Sequence, residues 1–316
     1  MGNKINIVGT KQRKKMSLCW QRTFSISLLA LPGIVWFLVF CYIPMFGSIL
    51  AFKNFDFKKG IFASEWCGLD NFKYLFLSND AVRILKNTLC YNIVFIILGI
   101  VISLSIALLM EEIKSRAAIK IFQTAYFLPY FVSWVIVGFI AQGMFKLDGG
   151  IMNNLRAVFG LEPLFWSTET GPWPIILTIT FLWKSFGYNS IIYYGALLGI
   201  DPSLYEAAKI DGASTFQKIT KITIPMLRPT ITILFILAVG NIMRADFGLF
   251  YYVPNNSGSL YPVTDVLDTY IYRTLRVSGD IASSSAASFF QSFVGLILVL
   301  TANKIVKVID SENALF

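Results

Sequence analysis

The sequence predicts an all-α, polytopic membrane protein with six transmembrane helices. Two observations carry that reading. Of the 316 residues, 56% are hydrophobic and only 14% charged, where a soluble domain carries about 25% charge. The mean hydropathy is +0.65, and the apolar residues gather in runs long enough to cross a bilayer.

The first run extends from Phe24 to Phe52, too long for the apolar core of a signal peptide and without a small-x-small cleavage site. It reads as an uncleaved first helix. Five more follow: Thr88 to Met110, Thr124 to Phe145, Trp173 to Ile200, Pro229 to Tyr252 and Ser284 to Val306. Several contain Pro or Gly, which membrane helices tolerate better than soluble ones do. The expected units are a basic tail (1–23), a first helix with its loop (24–86), a five-helix core (87–306) and a short tail (307–316).

Lys4, Lys11, Arg13, Lys14, Lys15 and Arg22 precede the first run. Such a tail is a topology signal, and it accounts for much of the +9 net charge without nucleic acid. With the N-terminus inside, 15 Lys and Arg fall on the inner side and 10 on the outer, so both termini are expected in the cytoplasm. The three outer loops are aromatic-rich (Lys53 to Asn87), amphipathic (a helix from Ile151 to Phe159) and turn-rich (Pro254 to Gly258, then a helix from Val263 to Val277). They serve either as a cap for a partner protein or as plain connections.

Cys19, Cys41, Cys67 and Cys90 fall in no CxxC spacing and there is no His, which argues against a zinc site and removes the commonest general base. No phosphate-binding G-x-x-x-x-G-K-[ST] run occurs, so the chain is not expected to hydrolyse ATP itself.

Between the fourth and fifth runs, 201–228 is too polar and too punctuated by Pro and Gly to span a membrane. Ser203 to Glu206 reads as a capping box that starts a short helix, and Gly212 as its stop. Ser214 to Gln217 reads as a second capping box, with the second helix ending near Ile224 because Pro225 follows. The result is a helix–Gly–helix elbow presenting Leu204, Ala207 and Ala208 as small apolar knobs.

The stretch Glu206-Ala207-Ala208-Lys209-Ile210-Asp211-Gly212-Ala213, with Pro225 beyond it, resembles the EAA loop of ABC-importer permeases. Residues 87–304 resemble the core of type I importer permeases, and the whole chain the six-helix, maltose-permease-like class. Trp183-Lys184, Gly187-Tyr188-Asn189, Tyr261-Pro262-Val263-Thr264-Asp265-Val266 and Asp268-Thr269-Tyr270 resemble permeases for polysaccharide-derived oligosaccharides. The outer loop after the first helix departs from the enteric maltose permease, which carries a large insertion there.

The resemblance implies half of a solute pathway, coupled to ATPase subunits through Leu204, Glu206, Ala207, Ala208, Asp211, Gly212 and Pro225. It implies a second, related permease subunit, two cytoplasmic ATPase subunits that carry the ATP and Mg, and an extracellular solute-binding protein, a lipoprotein. No cofactor is expected on this chain. Polar groups inside spans are costly and often functional, so Lys184, Tyr188, Asn189, Asn241, Arg244, Asp246 and Gln291 are the candidate pathway residues. The other reading of these groups is that they hold helices together. Arg244 and Asp246 are two residues apart and would not face each other on one helix, leaving Arg244 to meet a uronic-acid carboxylate. The competing classes are a polytopic membrane enzyme, which lacks a catalytic cluster here, and a stand-alone secondary transporter, which lacks internal repeats.

Overall fold

The computed structural model describes residues 27–309. The basic tail with Cys19, and residues 310–316, lie outside them. Among the described residues, five helices are long and apolar enough to cross a membrane, by length and composition, and a helix pair bent by 90° brings the number to six when it is counted as one span. The spans are α1 (Ser27–Phe52), α2 (Asn79–Glu111), the pair α3 (Arg116–Phe131) and α4 (Trp134–Met144), then α6 (Trp173–Leu197), α8 (Thr215–Gly240) and α11 (Ile281–Ile309). The shorter helices are α5 (Ile151–Val158), α7 (Pro202–Ile210), α9 (Phe247–Tyr252) and α10 (Leu267–Arg276). The expected strand-free chain also carries one two-residue ribbon, β1 (Lys53–Asn54) antiparallel to β2 (Glu65–Trp66), with Lys53 opposite Trp66.

Helix ends follow their caps. Ser78 accepts the Ala81 N–H and starts α2 nine residues earlier than the apolar run suggests. The helix expected from Val263 to Val277 is split. A short turn (Tyr261–Thr264) ends at Asp265, whose carboxylate pairs with Arg273 at 2.7 Å. Burial alone would lower the Arg273 guanidinium, but the bonded Asp265 carboxylate outweighs it and raises the pKa.

Two prolines are carried through their helices for one repeated reason. Proline has no N–H and its ring crowds the carbonyl four residues back. Before Pro44 the chain widens into a π-turn (Leu38–Tyr42) with the Ile43 N–H on Leu38 O; before Pro225 it widens again (Ile219–Thr223) with the Ile224 N–H on Ile219 O. The wider turn relieves the crowding, and the helix runs on through the proline.

Packing centres on α6, which lies along both α2 and α3, while α11 packs on α8, α10 and the last turns of α1. A buried cluster of Tyr91, Phe95, Leu177, Leu249 and Phe250 forms the middle of the bundle. Around Ala107, Tyr193, Leu197 and Leu227 a second cluster closes the end nearest the elbow. Residues 27–46 of α1 are exposed throughout among the described residues.

Candidate solute pathway and docking elbow

The elbow is built by local rules, with two corrections. Its first arm, α7, starts at Pro202, two residues before the Leu204 that a Ser203 cap would give. Asp201 is the cap, accepting the Ser203 N–H at 2.9 Å, and Pro202 fits the first helical position. These bonds from Ser203 hold the Asp201 carboxyl below its ordinary value. Glu206 therefore caps nothing; it is exposed and makes no hydrogen bond among the described residues. Gly212 ends α7 as expected, at φ +75°, with the Ala213 N–H returning to Ala208 O at 2.8 Å. Only glycine adopts that geometry without strain.

Ser214 and Gln217 form the predicted capping box. The second arm does not stop near Ile224. Through the π-turn it becomes the apolar helix α8, so the elbow and this span are one continuous rod from Thr215 to Gly240. Leu204, Ala207, Asp211, Gly212 and Pro225 are exposed and Ala208 is half-buried. The largest apolar exposures on the elbow are Ile210 (87%) and Phe216 (74%). Sequence reasoning passed over both, although they flank the Asp211-Gly212 turn.

At the other end of the rod α8 stops, and 241–246 forms a turn that leads into α9. The expected span from Pro229 to Tyr252 is thus two elements. Asp246 caps α9 through the Gly248 and Leu249 N–H groups. Beside this turn lies a cavity of about 470 Å³. It collects four of the seven candidate pathway residues: Asn189, Asn241, Arg244 and Asp246.

Arg244 is exposed. Its guanidinium makes a long contact of 3.4 Å to Ser292 Oγ, and no carboxylate lies within ion-pair distance among the described residues. Both neighbours are pinned from behind. Met243 O accepts from Gln291 Nε2 at 2.8 Å, and the Ala245 N–H donates to Asp268 Oδ2 at 2.7 Å. Gln291 also donates to Asp268 at 3.0 Å. Asn189 makes no hydrogen bond among the described residues. The cavity therefore offers a cation, the Asp246 carboxylate and an unspent amide beside stacked rings, Phe95 on Phe181 with centroids 4.0 Å apart.

The remaining three candidates lie elsewhere. Gln291 holds the turn. Tyr188 stacks on Tyr130 at 4.8 Å on the surface between α3 and α6. Lys184 points at the break between α3 and α4, where it donates to the carbonyls of Pro129, Tyr130 and Val132. The helix expected from Thr124 to Phe145 is two helices at 90°, because Ser133 caps α4 and Lys184 takes the carbonyls that α3 leaves open. Asn92 lines the cavity and was missed. Its signal was present, an amide inside an otherwise apolar span. Its Nδ2 holds Ile242 O at 2.9 Å.

A broken third span, an elbow continuous with the fifth and a polar turn at its far end define a permease of the binding-protein-dependent importers. Residues 96–311 match the family described as "Binding-protein-dependent transport system inner membrane component", and the chain belongs to it. Protein LplB of Bacillus subtilis (strain 168) is 35% identical over 286 residues, covering 90% of this chain and 89% of LplB. The polygalacturonan/rhamnogalacturonan transport system permease protein YteP of the same strain is 33% identical over 303 residues, covering 96% and 94%. A chain in the crystal structure of a bacterial ABC transporter involved in the import of the acidic polysaccharide alginate superposes with a TM-score of 0.84 at 32% identity, covering 94% of this chain and 99% of that one. A second alginate-transporter structure, in complex with an alginate pentasaccharide-bound periplasmic protein, matches with a TM-score of 0.81.

Proposed function

We propose that this chain is a permease subunit of an ATP-driven importer of acidic oligosaccharides in a bacterial cell membrane, with both termini cytoplasmic. The observation that carries the reading is Arg244, a guanidinium with no carboxylate in ion-pair contact among the described residues, Asp268 acting on it only from farther off, held in a cavity by bonds to both flanking residues. Its planar fork matches a uronate carboxylate, and Asn189 and Asn241 match sugar hydroxyls. The similarity to an alginate importer and to a polygalacturonan permease supports the same class of solute.

In this reading the cavity is half of a pathway, and a related second permease completes it. Two ATPase subunits dock on the elbow; they bind the ATP and Mg, and this chain contributes no ATPase site and binds no cofactor. An extracellular binding protein delivers the solute from the opposite side. The rod from Thr215 to Gly240 gives coupling a direct mechanical form. A tilt imposed at the elbow by the closing ATPase reaches the turn that carries Asn241 and Arg244 without passing through a flexible joint.

The test is uptake of size-matched galacturonate and neutral galactose oligomers by the reconstituted importer. Wild type takes up the acidic series preferentially, and Arg244→Gln loses that preference about tenfold while neutral uptake stays low. A wild-type preference for neutral oligomers overturns the acidic reading.

A further inference from the structure

The cation nearest the broken third span, Lys184, lies outside the lining of the cavity that collects the other candidates. Lys184, on α6, reaches across to the C-terminal end of α3 and donates to Pro129 O at 3.2 Å, Tyr130 O at 2.8 Å and Val132 O. It also lies over the rings of Tyr130 (5.9 Å) and Trp134 (5.2 Å). Carbonyls freed at a helix break inside a membrane need a donor or a cation, and broken helices in transporters commonly hold a free ion with such groups. Here the ion is covalently attached to the next span.

The break is tied onward to the pathway. Trp134, the first residue of α4, donates its indole N–H to Asp246 Oδ2 at 2.9 Å, and Asp246 lines the cavity two residues beyond Arg244. The contacts are close-fitting. Added at Gly248, a Cβ would overlap the Trp134 ring, and one at Gly187 would overlap the backbone of Tyr126 on α3. Both glycines let the backbones approach closely enough for Lys184 and Trp134 to reach their partners.

We propose that Lys184 is a tethered cation that fills the carbonyl cage at the break in the third span. Through Trp134 it positions Asp246 and the Arg244-bearing turn for solute recognition. Lys184 and Trp134 are then positioning residues of the pathway, and the importer needs no free monovalent cation at this break. The proposal rests on the importer reading above.

The test uses the assembled importer in proteoliposomes, trigalacturonate as solute and propylammonium chloride as the probe of the cage. For Lys184→Ala, KM is expected to rise about tenfold with the complex still assembled, the loss of one charge-assisted contact set. Propylammonium, which carries the missing stem and charge, restores KM in Lys184→Ala. It changes nothing in wild type or in Lys184→Met, whose side chain fills the slot without a charge. A second variant, Trp134→Phe, keeps the ring over Lys184 and removes the donor to Asp246; its KM rises while assembly and maximal rate hold. Wild-type KM in both Lys184→Met and Trp134→Phe overturns the proposal, as does failure of both complexes to assemble, which would make the cluster purely structural. Absence of trigalacturonate uptake by wild type would instead overturn the solute reading.

Discussion

Tyr205 Oη and Thr223 Oγ1 lie 3.0 Å apart and join the two arms of the elbow. Tyr205 sits on α7 and Thr223, fully buried, ends the π-turn of α8. This bond closes the triangle that Gly212 opens. In the proposed coupling the arms turn together through this bond, and without it α7 swings on the glycine while α8 stays in place.

Tyr205→Phe is therefore expected to loosen coupling more than stability. One hydrogen bond is worth about 1 kcal/mol net, so the folded chain survives. Measuring ATP hydrolysed per solute imported should show the ratio rising severalfold. An unchanged ratio would show that the arms are held by packing alone.

Gln291 offers a second test away from any solute contact. Its amide holds Met243 O and Asp268, so Gln291→Leu frees the Arg244 turn from α11 while nearly conserving volume. Affinity for an acidic oligosaccharide should fall by about tenfold with assembly intact. If KM is unchanged, the turn is held without this bond.

The two close glycine contacts predict steric failures. Gly187→Ala and Gly248→Ala insert a methyl where backbone or ring atoms already lie, and overpacking of this kind costs about 1–3 kcal/mol. Each variant should melt at a lower temperature in detergent. Gly143→Ala, at a glycine with open space around it, is the control and should melt with wild type.

Alone, the chain should move no solute. Its first helix is exposed from Ser27 to Phe46, and in the proposed function its cavity is one half of a pathway. In liposomes containing only this chain, labelled oligosaccharide should stay outside until a second permease, the ATPase pair and the binding protein are supplied. Flux through the single chain would favour a stand-alone carrier.

Which features the sequence revealed follows from the range of the forces that make them. Membrane spans were legible because each is a local run of apolar residues, and Gly212 and the Ser214–Gln217 box because capping acts within one turn. The start of α7 was set two residues late because the Ser203–Glu206 spacing was weighed above Asp201-Pro202, which itself is a strong helix start. Both interruptions of the spans were hidden. The break after Phe131 is stabilised by Lys184, 52 residues from the Val132 carbonyl it holds, and the turn at 241–246 by Gln291, 48 residues from Met243. The run past Pro225 was hidden because a π-turn can absorb a proline that an α-turn would reject. Of the pathway residues, intramembrane polarity picked out four that meet in the cavity. It could not separate them from Lys184, which donates to backbone carbonyls, and Gln291, which donates to Met243 O and Asp268.

The central claim is that the elbow transmits ATPase motion to the pathway, and Gly212 is where it can be tested most directly. Its φ of +75° is closed to proline, whose ring fixes φ near about −65°. Gly212→Pro must re-aim α7 against α8. The measurement is ATP hydrolysis and solute uptake on the same proteoliposomes of the complete importer. Assembled complexes that hydrolyse ATP without importing solute are the predicted result. Wild-type uptake per ATP in Gly212→Pro would contradict the account.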